Sequence, residues 1–201
     1  DNDFSRKNGL SGRFVVLYAG NVGQIQGLES ALEAASLLRA QPEILFLFVG
    51  DGTGRESLVA RAGQMGLDNV RFLPYQPLDA MPQVWAAGDV GLVSLIKGAG
   101  GGALPSKSYS ILASGRPLLA SIDEDSDLVS LVGRAQAGVC VPPQAAPELA
   151  AAVVRLREDS AQRAAYGRNG REYALHHHSP EAAAGRFEAL LRAALPPARQ
   201  A

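Results

Sequence analysis

The chain has 201 residues, 47% of them apolar and 19% charged, a balance that supports one α/β domain with a core and excludes a disordered polymer. Its net charge of −1 excludes a global basic field for nucleic acid or anionic lipid. Cys140 is the single cysteine, so no internal disulfide and no cysteine-based zinc site can form.

In chain order, "DNDFSRKNG" opens without methionine and reads as a connection, giving a linker remnant over 1–12 of a longer protein. "FVVLYAG" (14–20) reads as a buried strand ending in a glycine turn. "GLESALEAASLLRA" (27–40) carries Leu28, Ala31, Leu32, Ala35 and Leu38 on one helical stripe. "EILFLFVG" (43–50) is a second strand, too short to span a bilayer, and "RESLVARAGQMG" (55–66) is a helix closed by Gly66. "VRFLPY" (70–75) is a strand, and "PLDAMPQVWAAG" (77–88) is a helix with Pro77 near its first turn. "DVGLVSLI" (89–96) is a fourth strand. A glycine loop and a helix over 106–114, stopped by Gly115, follow it. "RPLLAS" (116–121) and "AGVCVPP" (137–143) are strands around a helix at 125–134. Helices over 147–159, 160–177 and 179–195 complete the domain at 13–195. The last has Ser179 as N-cap and Pro180 behind it, and 196–201 is a tail.

Apolar strands alternating with helices predict a doubly wound, Rossmann-like parallel sheet of about six strands with flanking and C-terminal helices. Ligands of such sheets bind outside the strands' carboxyl ends, at the switch point. Three glycine loops fall on that rim. "VGDGTGRESL" (49–58) places Gly50 and Gly52 in a dinucleotide-type spacing, but the third glycine falls on Arg55. "AGNVGQIQG" (19–27) has glycines at 20, 23 and 27, and its amides could hold a phosphate or simply turn the chain. No phosphate-loop motif of the NTPase type is present.

The third loop has Gly98, Gly100, Gly101 and Gly102, then Pro105 at the start of a helix. First-turn amides and the helix dipole suit an anion there, with Lys97 and Lys107 bracketing the loop. Lys107, Ser110 and Ser114 share one helical face, while Ile111 and Leu112 turn to the sheet. That arrangement suits a diphosphate with a sugar or ribose beside it. An ordinary bent loop is the other reading.

The segments "LYAGNVGQIQGLESALEAASLL", "LFLFVGDGTGRESL", "NVRFLPYQP", "ALPSKSYSILASGRPLLA" and "EDSDLVSLVGRAQAGVCVPPQAAPELAAAV" together resemble the donor-binding half of family 4 retaining glycosyltransferases of the GT-B fold. The resemblance runs from about residue 12 to 192. "LPSK…ILASGRP" is most similar to the branch that builds bacterial surface polysaccharides of the colanic-acid and O-antigen type. It implies an enzyme that transfers a hexosyl-type sugar from a nucleotide-sugar, with retention of anomeric configuration, to a polysaccharide or lipid-linked glycan acceptor. It implies an N-terminal acceptor domain outside this chain, so that the isolated domain is inactive. No cofactor, metal or nucleic acid is expected. A cytoplasmic location follows from the resemblance, with the absent domain as a route to the inner face of the membrane.

Carried over residue by residue, the resemblance assigns the donor diphosphate and sugar to Gly20, Asn21, Gly23, Gln26, Lys97, Gly101, Gly102, Ala103, Leu104, Ser106 and Lys107. It assigns ribose and base to Gly50, Gly52, Pro74, Tyr75, Gln76 and Ser110. The chain departs from the family pattern at four of these. Gly102 and Ser110 stand where the family has glutamates, and Asn21 and Gln26 where it has arginine and lysine. No catalytic residue is assigned. A non-catalytic nucleotide-sugar binding module and half of a sugar-nucleotide epimerase are the alternatives.

Other features take plainer readings. Consecutive helical residues point about 100° apart, so His176, His177 and His178 cannot converge on one metal ion. Asp123, Glu124, Asp125 and Asp127 read as a solvated helix start, Cys140 as inert packing, and Trp85 and Phe187 as helix-face residues.

Overall fold

A computed structural model describes residues 2–101 and 104–194. Six strands form one parallel sheet: β1 (Phe14–Ala19), β2 (Ile44–Val49), β3 (Val70–Leu73), β4 (Val90–Ser94), β5 (Leu118–Ser121) and β6 (Gly138–Val141). Their order is β3-β2-β1-β4-β5-β6, the doubly wound Rossmann arrangement. The central strands β1 and β2 are buried along their whole length and pair Phe14 with Ile44 through Ala19 with Val49. Burial on both faces is why their sequences are unbroken apolar runs.

The helices are α1 (Asp3–Lys7), α2 (Glu29–Leu37), α3 (Arg55–Gln64), α4 (Met81–Ala87), α5 (Lys107–Ala113), α6 (Asp127–Ala135), α7 (Ala146–Glu158), α8 (Ser160–His178) and α9 (Pro180–Ala194). Strand residues alternate between two cores. Phe14, Val16, Tyr18, Phe46 and Phe48 pack with α2, α3 and α7. Val15, Leu17, Leu45 and Leu47 pack on the other side with Trp85 of α4, Ile111 and Leu112 of α5, and Leu128 and Leu131 of α6.

Three elements differ from the sequence expectation. The opening segment, read as a connection, forms α1, whose cap Asn2 accepts from the Ser5 amide (2.8 Å), and Phe4 and Leu10 are buried in the second core. The helix expected over 77–88 is divided into a 3-10 turn, Leu78–Ala80, and α4. Pro82 has no N–H to return to the preceding turn, so the α-helical ladder cannot run through it. The third-loop helix starts at Lys107, so Pro105 lies before it. Its carbonyl accepts from the Ser108 amide (3.0 Å) and hydroxyl (2.6 Å).

α5 is short and is held from behind. Gly167 and Gly170 of α8 let the two helices touch: a Cβ on Gly167 would meet the Gly115 oxygen at 2.2 Å, and one on Gly170 the Leu112 side chain at 2.9 Å. Arg171 of α8 donates to the Ala113 carbonyl at the end of α5 (2.6 Å). α9 contributes no buried residue.

Candidate functional site

The sheet's winding reverses between β1 and β4, and a cavity of about 530 Å³ opens at their carboxyl ends. Gly20, Asn21 and Gln26 border it from the first loop, and Ser106, Lys107 and Ser110 from the start of α5. Leu78, Met81 and Trp85 close it from the α4 side. Lys107 is the one charged side chain among the described lining residues, and no carboxylate is among them.

The first two glycine loops are built on each other. The Val22 amide donates to the Asp51 carbonyl (2.8 Å), and the Gly54 amide to the Val22 carbonyl (2.9 Å). Gly50 and Gly52, at φ of 147° and 154°, bring the backbones so close that added Cβ atoms would meet Gly20 O at 2.0 Å and Val22 O at 2.4 Å. Those glycines serve close loop packing and lie outside the cavity lining. Gln26 closes its own loop: its Oε1 accepts from the Gly23 amide (2.8 Å).

Several amides on and around the three glycine loops already have protein acceptors. Gly20 donates to Val49 O (2.9 Å), Gly52 to its neighbour Asp51 Oδ1 (2.8 Å), and Tyr109 to Ser106 O (3.2 Å). The Asp123 carboxylate, after β5, accepts from the amides of Gly98 (2.8 Å) and Gly100 (3.3 Å). Part of the acidic cluster therefore works as a loop brace. Among the described residues, the positive charge of the cavity comes from the Lys107 side chain. Burial lowers its pKa from the usual lysine range to about 8. The same desolvation, with Tyr75 adding to it, raises the Tyr18 phenol well above the ordinary tyrosine value.

The remaining sequence-named residues fall elsewhere. Lys97 lines a second cavity with Asp123, Glu124 and Cys140, so it and Lys107 do not share a pocket. Gly101 is exposed, and Leu104 packs against the second core. Gly102 and Ala103 lie outside the described residues, as does the tail 196–201. Pro74, Tyr75 and Gln76 follow β3. The Tyr75 hydroxyl donates to Asp51 O (3.2 Å), and the Gln76 amide to Pro74 O (2.9 Å). Cys140 is half-buried on the edge strand β6, and burial pushes its thiol up to about 11. His176, His177 and His178 end α8. His177 and His178 lie against aromatic rings, with Tyr109 to His178 at 4.6 Å and Tyr173 to His177 at 4.4 Å, while His176 Nδ1 is 2.8 Å from the Glu172 carbonyl. Among the described residues, no three His, Cys, Asp or Glu side chains gather as a metal site.

Sequence reasoning missed Leu78 and Met81 and gave Trp85 to the core alone. Trp85 is buried in the second core and also borders the cavity. The signal for the missed pair was an apolar residue on a turn at the rim: Leu78 is 89% exposed.

The family model for "Glycosyl transferases group 1" matches residues 1–173. The chain is 39% identical over 140 residues to the putative colanic acid biosynthesis glycosyl transferase WcaI of Escherichia coli K12, covering 69% of this chain and 34% of WcaI. It is 32% identical over 132 residues to the probable glycosyltransferase WbjE of Pseudomonas aeruginosa, covering 66% and 33%. It thus spans about a third of the length of these relatives. Among solved structures, Anabaena HepE in complex with UDP matches at a TM-score of 0.82 and 20% identity, over 94% of this chain and 51% of that one. Sucrose-phosphate synthase from Thermosynechococcus elongatus matches at 0.80 and 26% identity, over 95% and 48%. The chain belongs to the glycosyl transferases group 1 family and has the Rossmann-like architecture of its GT-B fold.

Proposed function

We propose that this domain holds the nucleoside diphosphate of a sugar donor in the switch-point cavity, with Lys107 as the counter-charge. The observation that carries this reading is a partly buried ammonium, with no carboxylate partner among the described residues, in a cavity at the one place where a doubly wound sheet leaves its loops apart. Leu78 and Met81 offer the apolar wall a base needs, and Ser110 a hydroxyl for a ribose oxygen. Structural neighbours solved with UDP and with UDP-glucose support the class of ligand.

The whole protein then transfers a sugar to a polysaccharide or lipid-linked acceptor held by a domain outside this chain, by a retaining mechanism of family 4 and without a metal. This domain binds and orients one substrate. Transfer requires the acceptor oriented against it, so the domain alone is inactive. WcaI and WbjE, by their names, support the transferase class. The proposed site of action is cytoplasmic, as the family resemblance implies; separately, among the described residues no helix is long and apolar enough to cross a membrane.

The absence of a carboxylate from the described cavity lining favours one second reading, a module that binds nucleotide-sugars without catalysing transfer. Calorimetric titration of the domain with UDP, GDP and ADP, then with their sugars, tests the binding. One diphosphate is expected to bind and to be lost in Lys107→Glu. Failure of all three in the wild type overturns it. Product analysis with the longer protein separates transferase from binding module.

A further inference from the structure

Lys107 makes a contact that diphosphate binding does not by itself require. Tyr18 lies on β1, fully buried, on the face covered by α2 and α7. α5, which carries Lys107, packs on the opposite face. The lysine reaches across the carboxyl edge of the sheet over Gly20, where a Cβ would stand 3.3 Å from Lys107 Cε and 3.4 Å from Nζ. Gly20 is thus the notch through which the side chain passes. Lys107 Nζ donates to the Tyr18 hydroxyl at 2.5 Å and stands 3.8 Å from its ring centroid. The hydroxyl in turn donates to the Asn21 carbonyl at 2.5 Å. A cation over an aromatic face, with a hydroxyl oxygen as acceptor, is favourable twice over.

We propose that Tyr18 is the positioning residue for Lys107: it fixes the ammonium at the cavity wall, keeps it protonated, and ties it to the loop that begins at Gly20. This inference rests on the diphosphate reading only for its consequence in binding. The phenol is spanned by two bonds of opposite sense, one to the lysine and one to the loop carbonyl. Displacement of the ammonium by an anion is therefore felt at Asn21. Around the pair, Phe48 from β2 contributes only a ring, 6.1 Å away. Tyr75 is the titratable group that acts on Tyr18, and the Asp51 carboxylate is engaged by the Gly52 amide. No other described lining residue of the cavity is charged.

The test is the NMR titration of the Lys107 side chain in the ligand-free domain, wild type against Tyr18→Phe. The variant keeps the ring and removes the acceptor. The Lys107 midpoint is expected to fall by about one pH unit. If UDP binds the wild type, its affinity in the variant is expected to be about fivefold lower at pH 8 and nearly unchanged at pH 6, as the charged fraction dictates. An unmoved midpoint, or a loss of affinity uniform with pH, overturns the positioning role. A shifted midpoint with no UDP binding in the wild type leaves this role standing and removes the diphosphate reading. Should Tyr18→Phe not fold, Lys107→Met reads the same contact from the other side. The Tyr18 ring carbon bearing the hydroxyl is expected to change its chemical shift, and an unchanged resonance overturns the contact.

Discussion

Lys107 sets function against stability. An ammonium buried without a counter-charge costs free energy that a bound anion would offset. Burial holds its folded pKa at about 8, against 10.5 in the unfolded chain. Between those values the unfolded state binds more protons, so stability rises with pH through that window, and below pH 8 the full cost stands. Lys107→Met is therefore expected to be more stable than wild type at pH 7, by up to about 3 kcal/mol. It is also expected to lose the rise between pH 8 and 10.5. Urea denaturation at several pH values reads both effects. In Lys107→Glu, UDP affinity at pH 7 is expected to drop at least about tenfold, because a charge-assisted contact becomes a repulsion. Lys107 was legible in the sequence from its place beside a glycine loop and its helical spacing to Ser110. Its contact with Tyr18 was not, since it joins residues 89 apart and needs the notch at Gly20. The Asp123 brace was not legible either. That Gly98 and Gly100 donate to Asp123 depends on two neighbouring strands placing their loops side by side, which residue types alone do not specify.

The site stands on packed elements rather than on long ones. α5 has seven residues and is fixed by α8, through Gly167, Gly170 and Arg171. Gly167→Ala would drive a Cβ to 2.2 Å from the Gly115 oxygen, a backbone atom that cannot turn aside. The expected loss is roughly 2–4 kcal/mol in urea denaturation, with weakened UDP binding because α5 shifts. Gly50→Ala is expected to cost at least as much, since its φ of 147° and the 2.0 Å approach to Gly20 O both reject a side chain. The central strands were readable because burial on both faces leaves only apolar residues. The outer ones were read too long. Apolar character continues past Leu73 into Pro74 and Tyr75, and past Val141 into two prolines, where the ladder has ended. The helix over 77–88 was joined across Pro82 because periodicity carries no record of a missing N–H.

Across the whole molecule, the sheet and helices α1 to α8 bury the core, while α9 leaves Phe187, Leu190 and Leu191 exposed. Ending the chain at Ser179 is expected to leave the fold and UDP affinity within about twofold, because α9 buries nothing in either core. Circular dichroism and calorimetry on the shortened chain check this. The fold class was legible from the strand–helix alternation, and the family from ordered motifs spread over the chain. The cavity wall formed by Leu78, Met81 and Trp85 was not, because it needs the turn before Pro82 to face β1 and β4. On the proposed function, one cavity, at the reversal between β1 and β4, receives the diphosphate. The most direct test is a titration of the isotopically labelled chain with UDP, followed residue by residue by NMR. The largest shifts are expected on Gly20, Asn21, Leu78, Lys107 and Ser110. Shifts confined to the neighbourhood of Lys97, Asp123 and Cys140 would contradict it.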